Sequence, residues 1–373
     1  MDAVGIIFAN VHENSMGSLT GHRAFASLPF GGRYRMIDFI LSNMVNADMN
    51  NVAVITKGKY ISLLDHLGSG KEWDLVGKNG GLIIFPPFAE QGPSKGSYSG
   101  RLEALTWMSN YISRLNTKYA IFADADLVCN MDLEKLLTYH KSKNADITIV
   151  CKEENVIKRS ASRRTYYYTD ENDRINGVVV NPPFGGKQNV GLNVVLMERE
   201  LLEEILATAT QNNLHSFDQD LIHNYHWKYN IFAYKHTGYV FKVNTVESYF
   251  EANMQLLDDN VRKELFYNGR AIYTKVKDEP PAQYIGNGHA VNSFVTDGCV
   301  IEGYVENSIL FRGVRIDKGT EVRNSIIMQD SHVCKHCNLD YVIADKNVTM
   351  DEEITLTGCR QAYVVLNKGS RIT

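Results

Sequence analysis

The sequence is poor in the features that mark secreted and membrane proteins. It has no run of about 18 apolar residues, so no membrane-spanning helix is predicted. The first ten residues lack the charged segment and long apolar run of a secretion signal. Six scattered cysteines in 373 residues suit a reducing compartment better than a disulfide framework. These absences predict a cytoplasmic protein.

An excess of positive charge is also missing. The formal net charge is -4, so neither nucleic acid nor an anionic membrane is expected as a partner. Small anionic substrates would need a local basic pocket. The apolar fraction of 44% is that of an ordinary globular protein, and 373 residues exceed a typical single core, so two domains are expected.

One cysteine pair has the spacing of metal ligands. Cys334 and Cys337 form a Cys-x-x-Cys motif, flanked by His332 and His336. Zinc fingers and ribbons need a second pair of ligands at similar spacing, and none follows. We therefore expect buried or rim thiols here and no metal site.

Short apolar runs alternate with helical patterns over the first 250 residues. Such alternation predicts a mostly parallel, Rossmann-like α/β sheet with its ligand crevice at the carboxyl ends of the strands. The runs span residues 3–9, 51–56, 119–124 and 146–151, and the helical patterns include residues 36–45 and 102–114.

The pattern changes near Val291 to single apolar residues spaced six apart. Ile316, Val322 and Met328 have this spacing, and Asn307-Ser-Ile-Leu recurs as Asn324-Ser-Ile-Ile. A hexapeptide spacing predicts the stacked coils of a β-helix. An irregular β-sandwich is the alternative. Pro280 and Pro281, which can neither continue a helix nor donate to a sheet, mark the linker.

Four collinear segments resemble those of bacterial glucose-1-phosphate adenylyltransferases, and the resemblance extends over nearly the whole chain. The best match is Gly238-Tyr-Val-Phe-Lys-Val-Asn-Thr-Val-Glu-Ser-Tyr-Phe-Glu-Ala-Asn-Met254. The other segments are residues 21–38, 123–132 and 216–222.

This resemblance implies a nucleotidyltransferase domain, residues 1–275, a linker, residues 276–290, and a left-handed parallel β-helix, residues 291–373. The family joins ATP and glucose 1-phosphate into ADP-glucose with the help of magnesium. Asp126 matches the aspartate that holds magnesium in the family, and Asp220 matches a downstream aspartate.

The phosphate-binding loop of the family is altered in this chain. Its glycines let backbone N–H groups approach the triphosphate, and its arginine stabilises the transferring phosphoryl group. At the two leading glycines, third glycine, threonine and arginine, this chain has Asn10, Val11, Glu13, Asn14 and Ser15. Like charges about 4 Å apart repel by several kcal/mol at intermediate dielectric, so the Glu13 carboxylate opposes ATP binding.

Further departures affect the cations and carboxylates of the family's active site. Phe25 replaces a phosphate-contacting lysine, and Asn181 falls on the lysine of the sugar-phosphate motif. The family's Gly-Thr-Ala-Asp becomes Gly100-Arg-Leu-Glu103. At the second magnesium position the aspartate is Lys242.

We hypothesise that Lys242 pairs with Asp126 and makes magnesium superfluous, because an ammonium group supplies the charge that two facing carboxylates take from a divalent ion. Each position also has a simpler interpretation. Lys242 is alternatively a solvated surface charge, Phe25 a core residue, and Asp124, Asp126 and Asp132 caps of loops and turns.

The combined departures predict a catalytically impaired, regulatory type of subunit. The resemblance implies a catalytic adenylyltransferase subunit as partner in a hetero-oligomer, a tetramer, with magnesium required by that partner and no cofactor in this chain. A homo-oligomer and a sugar-phosphate or nucleotide effector are further possibilities. Two alternatives stay open: a weakly active adenylyltransferase, and a sensor without chemistry. Lys57, Lys59, Arg33 and Arg35 are candidate effector contacts or ordinary solvated charges.

Overall fold

The fold is described here from a computed structural model, which covers residues 1–77, 80–86, 100–156, 164–180 and 186–373. Its N-terminal part is a mixed sheet in the order β11-β10-β12-β7-β1-β4-β6-β5, with β9 bound to β12 and β13. The strands are β1 Ala3–Phe8, β2 Pro29–Phe30, β3 Tyr34–Arg35, β4 Asn51–Ile55, β5 Val76–Gly77, β6 Gly80–Phe85, β7 Tyr119–Asp124, β8 Leu127–Cys129, β9 Ile147–Val156, β10 Thr165–Thr169, β11 Ile175–Val180, β12 Gly186–Glu198, β13 Ile231–Lys235 and β14 Val240–Lys242.

The central strands β7, β1, β4 and β6 run parallel, as the alternating pattern predicts. Every residue of β1 is buried, which is typical of a strand covered on both faces. β12 joins β7 antiparallel, so the sheet becomes mixed on that side. The carboxyl ends of β1, β4 and β7 therefore lie at one edge of the sheet.

The helices cover both faces of this sheet, and some of them begin at a side-chain cap. Asp132 accepts a hydrogen bond from the backbone N–H of Lys135 at the start of α5, so it has the capping role that was its simpler interpretation. The helices are α1 Met36–Val45, α2 Ile61–Leu67, α3 Arg101–Trp107, α4 Ser109–Ile112, α5 Leu133–Ser142, α6 Arg199–Asn212, α7 His223–Tyr225, α8 Val246–Met254 and α9 Asp259–Phe266. A π-helical turn spans Phe217–Ile222, and 3-10 turns span Glu13–Ser15, Gly17–Thr20, Phe25–Ser27, Lys71–Trp73 and Gln255–Leu257.

The C-terminal part is a β-helix made of three stacked parallel sheets, which rules out the sandwich alternative. One sheet contains β15 Gln283–Tyr284, β18 Val300–Ile301, β21 Arg315–Ile316, β24 His332–Val333, β27 Thr349–Met350 and β30 Arg371–Ile372. The second contains β16 His289–Val291, β19 Tyr304–Glu306, β22 Glu321–Arg323, β25 Asn338–Asp340 and β28 Thr355–Thr357. The third contains β17 Phe294–Val295, β20 Ile309–Leu310, β23 Ile326–Ile327, β26 Val342–Ala344 and β29 Val364–Leu366.

The hexapeptide spacing corresponds to the successive sides of one coil. Ile316 and Val322 are fully buried inside the stack, whereas Met328 is buried in the apolar cluster between the coils and the N-terminal part and not inside a coil. The two Asn-Ser motifs lie in adjacent coils, where Asn307 and Asn324 take left-handed backbone angles of φ 45° and 44°. The first strand of the stack, β15, lies inside residues 276–290, the segment that the sequence assigns to the linker.

The two parts share an apolar cluster and a buried ion pair. The cluster joins Phe25 and Tyr249 of the N-terminal part to Ile309 and other residues of the coils. Beside it, Arg23 Nη2 lies 2.8 and 2.9 Å from the carboxylate oxygens of Asp345. No helix of the described ranges is long and apolar enough to cross a membrane.

Candidate functional site

A cavity of about 440 Å³ opens where the central parallel strands end. Phe8 is the last residue of β1, Asp124 is the last of β7, and Lys57 follows β4. Ligands of open α/β sheets bind at this edge. The cavity residues are Phe8, Asn10, Val11, His12, Lys57, Gly100, Arg101, Asp124, Thr165, Val180, Asn193, His215, Ser216, Phe217, Asp218, Gln219 and Lys242.

Asp126 has a fully buried side chain and does not itself line this cavity, but two lining residues, Lys242 and His12, contact its carboxylate. Lys242 Nζ is 3.6 Å from Asp126 Oδ2, and His12 Nε2 is 2.8 Å from the same oxygen. The ion pair that the sequence predicts between Lys242 and Asp126 is therefore present. Burial opposes ionisation of Asp126, but the Lys242 charge, the His12 hydrogen bond and the Arg101 charge hold the pKa of Asp126 below its usual range.

Arg101, at the start of α3, is a second cation of the cavity and is partly buried, with 23% of its side chain exposed. Its Nε and Nη2 atoms lie 2.9 and 2.5 Å from the two carboxylate oxygens of Asp124, and its Nη1 is 3.3 Å from Asp218. Asn193 donates to Asp124, and the Tyr167 hydroxyl donates to Asp218 over 2.6 Å. Burial lowers the pKa of Arg101, but the paired Asp124 raises it more, so the guanidinium stays charged.

The altered phosphate loop is held in place by its own side chains. Asn10 Nδ2 donates to the Glu13 carboxylate and to the Gly58 carbonyl, and Asn10 Oδ1 accepts from the Lys57 backbone N–H. Ser15 Oγ donates to the carbonyl oxygen of Asn244 over 2.5 Å. Side chains thus occupy hydrogen-bonding positions that a glycine-rich loop leaves to backbone N–H groups.

Several predicted site residues do not reach the cavity. Phe25 is fully buried in the core, with its ring edge-to-face against His12 at 5.9 Å, so its core interpretation applies. The Asp220 carboxylate accepts from the backbone N–H groups of His215 and Ser216 and is absent from the cavity lining. Asn181 lies outside the described residues.

Gly100 and Glu103 lie at the start of α3, as the matched motif implies. A Cβ atom on Gly100 would come 2.1 Å from the backbone oxygen of His215, so the close approach requires glycine. Glu103 pairs with His215 Nδ1 at 3.3 Å. The start of α3 therefore holds in place the loop that contains His215, a residue of the cavity lining.

The four candidate effector cations have separate environments. Lys57 lines the cavity; burial lowers its pKa, and Glu13 and Glu103 oppose that shift. Lys59 Nζ donates to the Thr20 carbonyl, and Arg35 donates to Ser62. These contacts, with Arg33 over the Tyr34 ring, are ordinary structural uses of cations.

Sequence reasoning missed His12, Arg101, Asp124 and Asp218 as members of the site. Asp124 lies in a matched segment and Arg101 in the altered motif of residues 100–103, so the sequence draws attention to both positions but does not show that they pair. His12 occupies a variable position of the loop, with a left-handed φ of 53°. Nothing in its local pattern indicates that its ring meets Asp126, 114 residues away.

Comparison with known proteins agrees with this architecture. Residues 16–259 match the family model described as nucleotidyl transferase, and residues 280–361 match the one described as GlmU-like, C-terminal hexapeptide. The glycogen biosynthesis protein GlgD of Bacillus subtilis is 33% identical over 368 residues, 98% of this chain and 96% of the relative.

Two relatives with different names have about the same sequence identity to this chain. GlgD of Geobacillus stearothermophilus is 36% identical over 324 residues, 86% of this chain and 82% of the relative. The glucose-1-phosphate adenylyltransferase of the same species is 35% identical over 323 residues, 86% and 83%. The chain therefore belongs to the nucleotidyl transferase family that includes glucose-1-phosphate adenylyltransferase and glycogen biosynthesis protein GlgD.

Proposed function

We propose that this chain is a regulatory subunit of glucose-1-phosphate adenylyltransferase in glycogen biosynthesis. In this role it stimulates a catalytic partner that makes ADP-glucose and pyrophosphate from ATP and glucose 1-phosphate, and it transfers no adenylyl group itself. The observation that carries the proposal is the Lys242 to Asp126 contact of 3.6 Å. This contact places an ammonium group where the resemblance implies a second metal-binding carboxylate.

The charges of the cavity support a site that is closed to a triphosphate. Arg101 is shared by Asp124 and Asp218, and Lys242 faces Asp126, so these two cations are already neutralised by carboxylates of the same chain. ATP would have to break such a pair to recruit either of these two cations, which leaves a buried carboxylate uncompensated. Breaking one buried pair costs about 3–5 kcal/mol.

The same residues do not fit Mg²⁺. Magnesium prefers octahedral oxygen ligands and is usually bound through one or two carboxylates and substrate phosphates. Both Asp124 oxygens bond to Arg101 or Asn193, and Asp126 Oδ2 faces Lys242 and His12. Of the four carboxylate oxygens of Asp124 and Asp126, only Asp126 Oδ1 lacks a hydrogen-bond partner among the described residues, and the charges of Lys242 and Arg101 already act on that carboxylate. We propose that the chain needs no metal for its role.

A chain that resembles the catalytic subunit can regulate that subunit by assembling with it. A subunit that packs like its partner can favour the partner's active conformation through their shared interface, since allostery needs only differential contacts between states. We propose a hetero-oligomer, a tetramer, in the cytoplasm. The β-helix provides a stacked surface whose ends are available for assembly.

A sensor is the second candidate, and the retained 440 Å³ cavity favours it. In that role the cavity would bind a sugar phosphate or nucleotide without chemistry. Thermal stabilisation by glucose 1-phosphate or ADP-glucose in the absence of turnover supports a sensor. Magnesium-dependent turnover of the chain alone supports a weakly active enzyme instead.

The direct test titrates the purified chain into a fixed amount of the catalytic subunit from the same organism. Pyrophosphate release from ATP and glucose 1-phosphate is followed, and the chain alone serves as the zero point. We expect no turnover by the chain alone and a saturable rise in rate with the partner. Appreciable turnover by the chain alone, or no rise with the partner, contradicts the proposal.

A further inference from the structure

Three side chains with different donor atoms meet on the outside of the β-helix, far along the chain from the strand-end cavity. Parallel pairing of β21 with β24 sets Arg315 beside His332 and Ile316 beside Val333. The next position along each coil therefore brings Asp317 beside Cys334. One ligand atom each of Asp317, His332 and Cys334 lies within 4.8 Å of the other two.

The donor atoms of these three side chains are turned toward one another. His332 Nε2 lies 2.9 Å from Asp317 Oδ2, whereas Asp317 Oδ1 is held by Arg315 Nε at 2.8 Å. The Asp317 carboxylate is thus fixed by one oxygen while its other oxygen faces the imidazole. Nitrogen, oxygen and sulfur donors are the ligands that zinc takes in its tetrahedral sites, with metal bonds of about 2.0–2.3 Å.

The expected partner of Cys334 in a Cys-x-x-Cys site is not one of these three residues. Cys337 is buried, and its thiol donates to the backbone oxygen of Asp351 at 3.0 Å. Side chains three residues apart in a β-helix coil take different directions, whereas residues 17 apart stack. The three ligands therefore come from two adjacent coils, and a Cys-x-x-Cys spacing within one coil does not reveal them.

We propose that Asp317, His332 and Cys334 form a binding site for Zn²⁺, with water at the fourth position. Imidazole, thiolate and carboxylate are all ordinary zinc ligands, and soft thiolate favours zinc over magnesium or calcium. On binding, the zinc-sulfur bond forms, the thiol S–H bond breaks and its proton passes to water. The hydrogen bond from His332 Nε2 to Asp317 is exchanged for two bonds to the metal, and the Nε2 proton of the imidazole moves to Nδ1 through water, so that Nε2 can bind.

Such a site would join two adjacent coils. Asp317 belongs to one coil and His332 and Cys334 to the next, so a bound ion links them as a crosslink does. Asp351 lies one coil further, beside Cys334, and is occupied by Arg371 at 2.9 Å. That pairing leaves the fourth metal position to solvent. The proposal does not depend on the regulatory function.

The test is metal binding by the full chain, stripped of metal and kept reduced with a phosphine reductant. Equilibrium dialysis against buffered micromolar Zn²⁺ should give one bound ion per chain. Co²⁺ should give a thiolate-to-cobalt charge-transfer band in the near ultraviolet. Bound Zn²⁺ should protect Cys334 from iodoacetamide, located by mass spectrometry, and leave the exposed Cys359 reactive.

Cys334→Ser is the decisive variant, and Cys359→Ser is its matched control. We expect Cys334→Ser to lose zinc affinity by about tenfold or more and to lose the cobalt band, with Cys359→Ser unchanged. His332→Ala should lower affinity while the thiol remains. Circular dichroism confirms that each variant is folded. No bound zinc in the parent chain, or equal affinity in Cys334→Ser, overturns the proposal.

Discussion

The ammonium nitrogen of Lys242 lies 3.6 Å from Oδ2 of Asp126, whose side chain is fully buried. The pairing of β14 with β8 produces this contact, because Lys242 is in register with Leu127, the residue after Asp126. The backbone N–H of Val243 also donates to the Asp126 carbonyl. The backbone pairing of the two strands thus holds Lys242 next to Asp126.

Removing this cation should destabilise the fold. Lys242→Met leaves the buried Asp126 carboxylate with the His12 hydrogen bond and the more distant Arg101 charge, and we expect a loss of about 2–3 kcal/mol in the free energy of unfolding at pH 7. Urea denaturation measures it, and Lys318→Met, at an exposed lysine, is the control. A loss no larger than that of the control means that the pair contributes nothing to stability.

Replacing the cation with a carboxylate should create a magnesium site. Lys242→Asp places two carboxylates opposite each other, which then need a divalent ion between them. We expect the affinity for Mg²⁺, measured by calorimetry, to rise by about tenfold or more over the parent chain. Lys242→Met removes the same charge without adding a ligand and should show no gain. Equal affinity in the parent chain and Lys242→Asp contradicts the proposal that the ammonium replaces a metal.

Lys346 should make the stability depend on pH near neutrality. Burial, together with the charges of Arg35, Arg23 and Lys277 and against the opposing charge of Asp345, lowers the pKa of Lys346 to about 7. The unfolded chain therefore binds more protons than the folded chain between pH 7 and the ordinary lysine pKa of about 10.4. Stability rises with pH through this window and is lost as pH falls toward 7.

Lys346→Met removes this titration. We expect the free energy of unfolding of the parent chain, relative to Lys346→Met, to increase as the pH rises from 7 to about 10. Lys368→Met, at an exposed lysine, should track the parent chain at every pH. A constant difference between the parent chain and Lys346→Met across this range would falsify the assignment.

The buried pair between Arg23 and Asp345 should couple the two parts of the chain. Arg23→Met or Asp345→Asn leaves one partner buried and unpaired, so each should cost about 3–5 kcal/mol. The double variant should cost less than the sum, with a coupling energy of about 0.5–3 kcal/mol in urea unfolding. Strict additivity would show that the contact carries no interaction energy.

The fold follows from the sequence to a large extent, because its signals are local and repeated. The strands β1, β4 and β7 appear as apolar runs within one residue of their bounds, and α1 begins and ends where its helical pattern does. In the coils, Ile316 and Val322 show the six-residue spacing of the stack directly. The start of the stack at β15 is harder to place, since its two residues are exposed.

The sequence predicts contacts in the site only between positions that are aligned with a family motif. The Lys242 to Asp126 pair is predicted because both positions lie in matched segments. The Arg101 pairs with Asp124 and Asp218 depend on how a helix start, a strand end and a π-helical turn converge, which no local pattern encodes. Asp220 illustrates the converse, because its motif matches while its carboxylate caps the backbone of a nearby turn.

The most direct test of the central claim asks which subunit's site carries out the reaction in the mixed assembly. The chain is mixed with a catalytic subunit whose own metal-binding aspartate is replaced by asparagine, and pyrophosphate release is compared with that of the intact mixture. A purely regulatory chain predicts no turnover in the mixture with the inactivated partner and stimulated turnover with the intact one. Magnesium-dependent turnover with the inactivated partner would mean that the site around Lys242 and Asp126 performs the reaction.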